Sequence, residues 1–507
     1  MLTHASAGLG WMPIEMTQTS PITPREPGGL HQPGLWQRFG RHWGMLILSI
    51  AMGVVTTRLL LNSPEVTREA AFMGGIFILA AALWVTEALP LFATSLLVIG
   101  LQVLLLANPG GWSGLGFENG QSPSFKQIIS VTADPVLFLF FGGFILAHAA
   151  TKMGVDRAMS VLLLRPFGDH PRWMLLGLML VTLAFGTWMS NTATAAMMLA
   201  MITPMLAALP PKEPFRKAVV LSIALTANIG GIGTPISSPP NAVAMSFLQK
   251  EGYHIPFIKW MLAAVPLSIA LTILAWLVLW MFFPPVTKGL RMTYVSEKLT
   301  PRGWFVVVVF LLTVVMWMTD MLHGLPAAAV ALLPVILLTT TGTFTRQDLT
   351  QIDWSILILI AGGIALGSGM QMTGLDQLIV QWLPTGGKGI WLLIALVMGT
   401  IFVGTFMSNT AAANLFLPIG ISSAMISTTA ASEGGGLHPI QAAISIALAA
   451  SMSMALPIST PPNAMAYSRG EFTTGDMVRV TLTVSSVAIA LVVFGGGFVL
   501  RLWGIIP

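Results

Sequence analysis

The chain carries two copies of one apolar stretch. Residues 136–156 read VLFLFFGGFILAHAATKMGVD, and residues 356–376 read ILILIAGGIALGSGMQMTGLD. The copies pair the glycines at 142–143 with those at 362–363, at an offset of 220 residues. A match of this length and spacing indicates an internal repeat.

Two shorter motifs recur downstream of these stretches in the same order. Met-Ser-Asn-Thr-Ala at 189–193 returns at 407–411. Ser-Pro-Pro-Asn-Ala at 238–242 returns as Thr-Pro-Pro-Asn-Ala at 460–464. Three motifs that recur in one order at nearly constant offset indicate that the chain consists of two related halves.

The composition places the chain in a lipid bilayer. Of its 507 residues, 55% are hydrophobic and only 8% are charged, with a mean hydropathy of +0.82. A soluble protein would need about a quarter of its residues charged. There is no cysteine, which excludes disulfides and thiolate metal sites. The net charge is only +5 and the basic residues are spread over short loops, so we expect no nucleic-acid partner.

Eleven stretches are long and apolar enough to cross a bilayer once. Two more, 172–209 and 388–430, are too long for one crossing and have a polar interruption at their middle, which predicts a hairpin in each. The eleven stretches are 44–62, 72–89, 91–107, 136–165, 216–250, 258–283, 302–320, 323–341, 354–383, 436–468 and 475–504.

The parity of the crossings predicts how the halves are oriented. Each half contributes five crossings and one hairpin, and a hairpin adds an even number of passages. The halves are therefore predicted to be inverted relative to each other, a common plan of secondary carriers. A cytoplasmic amino-terminus puts most of the basic loop residues inside, including Arg346, and fewer outside, including Lys126. The positive-inside rule favours this orientation in the plasma (inner) membrane.

The Ser-Asn-Thr motifs at the hairpin tips have the chemistry of a binding site. Hydroxyls, an amide and the free N–H groups of the returning helix can hold an anion without a basic side chain. The glycine- and proline-rich turns at 230–241 and 456–463 release carbonyl oxygens at membrane depth, and such oxygens suit sodium. The alternative for any single residue is helix packing by small side chains. For the duplicated constellation we favour binding.

With these motifs the chain resembles the divalent anion:sodium symporter family, in its bacterial dicarboxylate transporter type. The similarity covers most of the chain from about residue 44 onward. It includes WVTEALPLFATSLLVI at 84–99, FLFFGGFILA at 138–147, both Ser-Asn-Thr tips and both Pro-Pro-Asn turns. The resemblance implies a homodimeric, all-α polytopic membrane protein with about 11 transmembrane helices and two re-entrant hairpins. It also implies an elevator-type mechanism, in which a transport domain slides against a scaffold domain.

The resemblance divides the chain into scaffold and transport parts. The two inverted repeats are 72–283 and 302–507, and they are joined by a cytoplasmic linker. The predicted segments are a disordered cytoplasmic tail 1–43, a first helix and loop 44–71, scaffold helices 72–107, transport part 136–250, linker 284–301, scaffold helices 302–341, transport part 354–468 and last helix 475–504.

The family's binding residues can be carried over by motif. The resemblance implies that a dicarboxylate such as succinate, malate or fumarate is bound by the two tips and the two proline turns. It implies one sodium ion beside each tip and no other cofactor. The substrate-binding residues are then Asn191, Thr192, Ser238, Pro239, Ser408, Asn409, Thr410, Thr460 and Pro461, and the sodium-binding residues are Ser190, Asn191, Ser237, Gly186, Ser408, Asn409, Ser459 and Gly404.

One feature departs from the pattern of the sodium-coupled relatives. They usually carry a hydroxyl residue four places before the tip serine, where this chain has Gly186 and Gly404. This departure favours sodium-independent dicarboxylate exchange. Charge balance favours symport, because a dianion held only by helix ends, each about half a charge, lacks countercharge. We therefore place sodium symport ahead of exchange.

Other functions are open at this point. A carrier of citrate or sulfate would use the same anion-binding chemistry. A proton antiporter on the same plan would leave the tips unexplained. A membrane enzyme would need a nucleophile with a base or a metal cluster. Neither is found near the polar motifs, and we expect a carrier rather than an enzyme.

Overall fold

The computed structural model describes residues 35–286, 298–382, 389–430 and 436–507. Most of the predicted tail and linker lies outside these ranges. The helices are α1 Leu35–Leu61, α2 Arg68–Thr86, α3 Leu91–Gln102, α4 Phe125–Ser130, α5 Pro135–Lys152, α6 Val155–Leu164, α7 Pro171–Gly186, α8 Asn191–Met201, α9 Thr203–Ala208, α10 Phe215–Gly230, α11 Pro239–Lys250, α12 Phe257–Phe282, α13 Pro301–Met318, α14 Asp320–His323, α15 Ala327–Val330, α16 Leu332–Thr340, α17 Arg346–Leu349, α18 Trp354–Thr373, α19 Leu375–Trp382, α20 Gly389–Phe406, α21 Asn409–Ala430, α22 Pro439–Ser451, α23 Pro461–Tyr467, α24 Thr474–Ala490 and α25 Gly496–Leu502.

The prediction of an all-α polytopic membrane protein is confirmed. The described residues form helices and contain no β-strand. Among them, 10 helices are long and apolar enough to span a bilayer. Large apolar side chains such as Leu59, Phe402 and Phe498 are exposed on their outer faces, as expected for surfaces in contact with lipid. Helix α1 begins at Leu35, inside the segment predicted as tail.

Residues Met45–Pro507 form one compact unit, and Met1–Gly44 a separate one, of which the described part is the start of α1. Several predicted single crossings are broken in the larger unit. The stretch 136–165 consists of α5 and α6, which meet at Gly154 with φ 69°. The stretch 354–383 consists of α18 and α19, which meet at Gly374 with φ 71°. Glycine adopts this left-handed conformation without strain and ends a helix.

The polar motifs lie where helices are interrupted in the middle. The first hairpin is α7 and α8 with its tip at residues 187–190, and the second is α20 and α21 with its tip at 407–408. The stretches predicted as single crossings at 216–250 and 436–468 are interrupted as well. The chain is non-helical between α10 and α11, and between α22 and α23. The prolines that begin α11 and α23 have no N–H to continue the preceding helix.

The repeated glycine pairs bring the predicted transport part against the predicted scaffold. A Cβ atom on Gly142 of α5 would lie 2.3 Å from the carbonyl oxygen of Ala331, between α15 and α16. A Cβ atom on Gly362 of α18 would lie 2.2 Å from the Cβ atom of Ser95 on α3. Each repeat therefore uses one glycine to let two helix backbones approach closely.

Candidate functional site

Both hairpin tips and both proline turns meet at one cavity. Its volume is about 410 Å³. The wall is formed by the ends of α8, α11, α21 and α23, together with apolar side chains of α3 and α5. The lining residues are Leu91, Phe92, Phe140, Phe144, Ser190, Asn191, Thr192, Asn228, Ile236, Ser237, Ser238, Pro239, Asp353, Ser355, Ile356, Leu359, Ser408, Asn409, Thr410, Ser459, Thr460, Pro461 and Pro462.

The structure brings together nearly all the residues predicted from the motifs. All nine predicted substrate-binding residues line the cavity, and so do Ser190, Ser237 and Ser459 from the predicted sodium set. The two glycines of that set, Gly186 and Gly404, do not line it. Residues more than 200 positions apart in the sequence thus share one space, as the repeat predicts.

The tip serines cap the helices that return from each hairpin. The Oγ of Ser190 accepts a hydrogen bond from the N–H of Ala193 at 3.2 Å, at the start of α8. The Oγ of Ser408 accepts one from the N–H of Ala411 at 3.2 Å, at the start of α21. Serine is a preferred N-cap because its oxygen satisfies one of the free N–H groups. The next residue in each tip is the asparagine that starts the helix, Asn191 or Asn409.

The first proline turn is held by side chains that bind its released carbonyl groups. The Nδ2 of Asn241 donates to the carbonyl oxygens of Gly231 and Thr234, at 2.9 and 2.8 Å, and the Oγ of Ser237 lies within hydrogen-bond distance of both, at 2.8 Å. The hydroxyl of Thr234 donates to the carbonyl oxygen of Thr187 at 2.7 Å, which ties the turn to the first hairpin tip. The local geometry is therefore rigid without a continuous helix.

The second proline turn repeats this design with different partners. The Nδ2 of Asn463 donates to the carbonyl oxygens of Met454 and Leu456, at 2.8 and 3.0 Å. The Oγ of Ser459 donates to the carbonyl oxygen of Thr405 at 2.8 Å, which ties this turn to the second tip. The asparagine of each Pro-Pro-Asn motif thus supports the turn, while the hydroxyl residue before the prolines faces the cavity.

Close packing explains the glycines that stand in place of hydroxyl residues. A Cβ atom on Gly186 would lie 3.3 Å from the Cα of Gly230, and one on Gly404 would lie 2.6 Å from the Oγ of Ser453. The neighbouring threonines do not replace the missing hydroxyls in the cavity. The Oγ1 of Thr187 and that of Thr405 donate to carbonyl groups one turn earlier in their own helices.

The cavity has no basic side chain and one acidic one. Its lining contains no Lys or Arg, and Asp353 is its one carboxylate. The amino-terminal ends of α8, α11 and α21, helices of 11, 12 and 22 residues, lie at the wall and supply partial positive charge. The Oδ1 atoms of Asn191 and Asn409 are buried and have no hydrogen-bond partner in the described part of the chain. An unpaired buried acceptor is costly, so each of these oxygens fits a cation or a donor group.

Three polar residues of the cavity were missed by motif reasoning. Asp353 and Ser355 lie at the start of α18, where Asp353 caps the helix through the N–H of Ile356. Asn228 of α10 is fully buried, and its Oδ1 lacks a partner among the described residues. Asn228 is absent from the duplicated motifs because Ala450 stands at the corresponding place of the second repeat, at the offset of the proline turns.

The sequence profile described as citrate transporter matches residues 81–434, well over half of the chain. The chain belongs to the citrate transporter family. The matched part contains all of the first repeat's cavity residues and the second hairpin tip. The predicted recognition of an anion transporter of the divalent anion:sodium symporter type is confirmed, and the family and its relatives are transporters.

Three relatives of the chain are 28–30% identical to it over the aligned residues. An uncharacterized transporter of Schizosaccharomyces pombe is 30% identical over 81% of the chain. The sodium-dependent dicarboxylate transporter SdcS of Staphylococcus aureus is 28% identical, over 83% of the chain and 85% of SdcS. The inorganic phosphate transporter PHO87 of Saccharomyces cerevisiae is 29% identical over 74% of the chain. The chain spans only 47% and 40% of the two fungal relatives.

A solved structure supports the fold. The YdaH transporter of Alcanivorax borkumensis, described as having an unusual topology, superposes with a TM-score of 0.52 over 83% of the chain and 98% of its own length. The sequences are only 12% identical, so the likeness concerns the fold alone. The apolar helices support a multi-pass membrane protein, and the family and its relatives support a secondary transporter.

Proposed function

We propose that the protein is a secondary active transporter of C4-dicarboxylates such as succinate, malate and fumarate, coupled to sodium and working by an elevator mechanism. One observation carries the proposal: two equivalent Ser-Asn-Thr tips and two equivalent proline turns line a single cavity. A ligand with an anionic group at each end matches such a duplicated site. The sodium-dependent dicarboxylate transporters among the relatives support this choice of substrate.

The tips provide the groups that bind the carboxylates. The free N–H groups at the starts of α8 and α21, and the hydroxyls of Thr192 and Thr410, donate to carboxylate oxygens. Apolar side chains such as Phe140 and Ile236 also line the cavity. They match the short hydrocarbon segment of a C4-dicarboxylate and exclude water from it.

Sodium supplies the charge that the cavity lacks. A dianion beside Asp353, with no Lys or Arg in the lining, needs cations that enter with it. The unpaired Oδ1 atoms of Asn191 and Asn409, one in each repeat, are suitable oxygen ligands for a hard cation. The first proline turn comes close to one of them, since a Cβ atom on Gly231 would lie 2.6 Å from the Oδ1 of Asn191. Gly186 and Gly404 pack against neighbouring parts of the chain and have no hydroxyl to offer. In the proposed sodium sites, backbone carbonyl oxygens therefore take the place of the missing hydroxyl ligands.

The elevator movement takes place along the glycine contacts. In the proposed mechanism, α5 and α18 belong to the moving part, and α3, α15 and α16 to the fixed part. A surface without side chains at Gly142 and Gly362 allows one helix to slide along another. In this proposal the protein acts as a homodimer in the plasma (inner) membrane. Its amino-terminus is cytoplasmic, in line with the loop charges.

Uptake by reconstituted proteoliposomes tests the coupling. We expect labelled succinate to enter empty vesicles when an inward sodium gradient is present, and not when potassium replaces sodium. Sodium-independent uptake that requires vesicles preloaded with dicarboxylate would instead establish exchange. A vesicle without protein, and one with the Asn191→Ala variant, serve as controls for leakage.

A different anion is the second candidate. The family is named for citrate, and PHO87 is an inorganic phosphate transporter. Sulfate shares the charge of a dicarboxylate. Competition of succinate uptake by citrate, phosphate and sulfate ranks these substrates. If any of these anions inhibits the uptake of labelled succinate more strongly than unlabelled succinate does, that anion would replace the dicarboxylate as the assigned substrate.

A further inference from the structure

Asn228 connects the first repeat to the proline turn of the second. It lies on α10, is fully buried and lines the cavity. Its Nδ2 lies 2.9 Å from the Oδ1 of Asn463 and 3.1 Å from the Oγ1 of Thr460. Neither the repeat nor the tip motifs assign a role to this residue.

The surroundings fix which way the Asn228 amide points. The Nδ2 of Asn463 is used by the carbonyl oxygens of Met454 and Leu456, at 2.8 and 3.0 Å. The Oδ1 of Asn463 must therefore face Asn228 and accept from it. If the Asn228 amide were turned over, two carbonyl-type oxygens would face each other, which is unfavourable. Asn228 consequently presents its NH₂ group to the second proline turn.

This arrangement determines the direction of the Thr460 hydroxyl. Its Oγ1 accepts from the Nδ2 of Asn228 at 3.1 Å and from the N–H of Asn463 at 3.4 Å. A hydroxyl has two acceptor positions and one hydrogen. With both acceptor positions taken, the hydrogen must be donated elsewhere, and no described residue accepts it. Thr460 lines the cavity, so the donor is directed to a ligand there.

The corresponding hydroxyl of the first repeat has no such constraint. Ser238 lies 3.4 Å from Ser451, Oγ to Oγ, and either hydroxyl can be the donor. The Ser238 hydroxyl can therefore turn to donate to a ligand or to accept from it. The two equivalent hydroxyls differ in this respect although their sequence motifs match.

We propose that Asn228 is a positioning residue that holds the Thr460 hydroxyl as a donor, so that Thr460 presents a hydrogen to an acceptor oxygen of the ligand such as a carboxylate oxygen. The Ser238 hydroxyl accommodates either a donor or an acceptor group on the ligand. The inference rests on the proposed transport of a dicarboxylate. It distinguishes the two equivalent hydroxyls of the site, because Thr460 requires an acceptor.

A double-mutant cycle tests whether Asn228 acts through Thr460. In proteoliposomes, Asn228→Ala is expected to raise the KM for succinate about tenfold, the size of one lost hydrogen bond to a charged group. The maximal rate stays within about twofold. In the Thr460→Val background, Asn228→Ala is expected to raise KM less than about twofold, because the hydroxyl it positions is already gone. Asn228→Asp, which would take the Thr460 hydrogen for itself, is expected to raise KM more than Asn228→Ala.

The matched control is Thr226→Val, two residues earlier on α10. Thr226 is also fully buried and polar but does not line the cavity. The Thr226→Val variant is expected to have the same KM for succinate as the wild type. If Asn228→Ala does not fold, Asn228→Ser takes its place in the cycle with the same expectation. If Asn228→Ala raises KM by the same factor in the wild type and in the Thr460→Val background, or leaves KM unchanged in the wild type, the proposal is overturned.

Failure of the proposed substrate is recognised separately. If the wild type does not take up succinate, that result refutes the transport proposal. The cycle is then run on purified protein, as the rise in thermal unfolding midpoint caused by succinate, citrate or phosphate. Asn228→Ala should reduce this rise only where Thr460 is intact. A wild type that none of the three anions stabilises would overturn the positioning role too.

Discussion

Asn191 and Asn409 occupy equivalent places in the two halves of the candidate site. Each is the first residue of a helix that returns from a hairpin tip, and each lines the cavity. Each also has a buried side-chain oxygen without a partner in the described part of the chain. Packing alone would not leave a polar atom unpaired at both equivalent places.

We expect Asn191→Ala and Asn409→Ala each to lower the apparent affinity for succinate at least about tenfold, because a group that binds a charged ligand is lost. The affinity for sodium should fall as well, measured as the sodium concentration that gives half-maximal uptake. Asn119→Ala, in an exposed loop, is the control of the same residue type. Normal uptake by either tip variant would refute the site assignment.

The sequence predicted the cavity-lining residues that occur twice and missed those that occur once. The tips and proline turns were found because a motif that occurs twice in the same order is unlikely to arise by chance. Asn228 has no such signal, since Ala450 stands at the matching place. Its contribution depends on an interaction with the opposite repeat, which only the folded chain reveals. The packing role of Gly186 was equally hidden, because its partner Gly230 lies on another helix.

Two adjacent glycines on α5 allow a test of the close helix contact. A Cβ atom on Gly142 would meet backbone atoms of Ala331, whereas one on Gly143 would meet only Ile236, at 3.7 Å. We expect Gly142→Ala to force the helices apart, at a cost of about 1–3 kcal/mol, and to slow uptake several-fold. Gly143→Ala should behave like the wild type in thermal unfolding and in transport rate. Equal effects of the two substitutions would contradict a sliding contact at Gly142.

The short helix α17 is fastened to α5 by a carboxylate. The Oδ2 of Asp348 accepts from the Nζ of Lys152 at 2.6 Å, and its Oδ1 lies 3.3 Å from the Nε2 of His148. Burial raises the pKa of Asp348, but the hydrogen bonds from Lys152, Thr345 and His148 outweigh it and hold the pKa well below the ordinary value. The folded state therefore favours the charged form of this side chain.

Asp348→Asn is expected to lower the free energy of unfolding by about 1 kcal/mol at neutral pH, through the loss of charged hydrogen bonds. Since the pKa is lower in the folded state, this stabilisation is present above the unfolded value of about 3.9. It is lost as the pH falls through the folded value. The difference in unfolding midpoint between variant and wild type should thus persist from pH 8 to 5 and shrink in stronger acid. Asp169→Asn, at an exposed position, is the control. A difference in unfolding midpoint between Asp348→Asn and the wild type that grows as the pH falls would contradict this account.

The sequence predicted where apolar elements lie better than where they break. The hairpins at 172–209 and 388–430 were expected because their length exceeds one crossing. The breaks at Gly154 and Gly374 were not, because hydropathy stays high across a single left-handed residue. Both glycines lie at matching positions, just before the last residues of the repeated stretch. Their duplication was a sign of the helix break, but a hydropathy pattern does not detect it.

The whole molecule is less symmetric than its sequence. Ile236 and Ile458 occupy the same position in the two proline turns, yet they are 7% and 78% exposed. Trp188 in the first tip stacks on Phe257, while Phe406 in the second tip is 53% exposed. The two repeats thus place equivalent positions in different surroundings. In an elevator built from inverted repeats, we expect the opposite state to exchange the two environments.

The inversion itself can be tested at a pair of matched positions. Lys126 on α4 and Arg346 on α17 are exposed and lie 220 residues apart, the offset of the repeat. Inverted repeats place these two residues on opposite sides of the membrane, whereas parallel repeats would place them on the same side. The absence of native cysteine makes single-cysteine labelling of the whole chain direct.

With a membrane-impermeant maleimide on intact cells, we expect Lys126→Cys to be labelled and Arg346→Cys to be labelled only after permeabilisation. The cysteine-free wild type gives the background, and transport by each variant shows that it is folded. Labelling of both positions, or of neither, would contradict the inverted repeat. Labelling of Arg346→Cys alone would keep the inversion and reverse the orientation, because the amino-terminus would then lie outside.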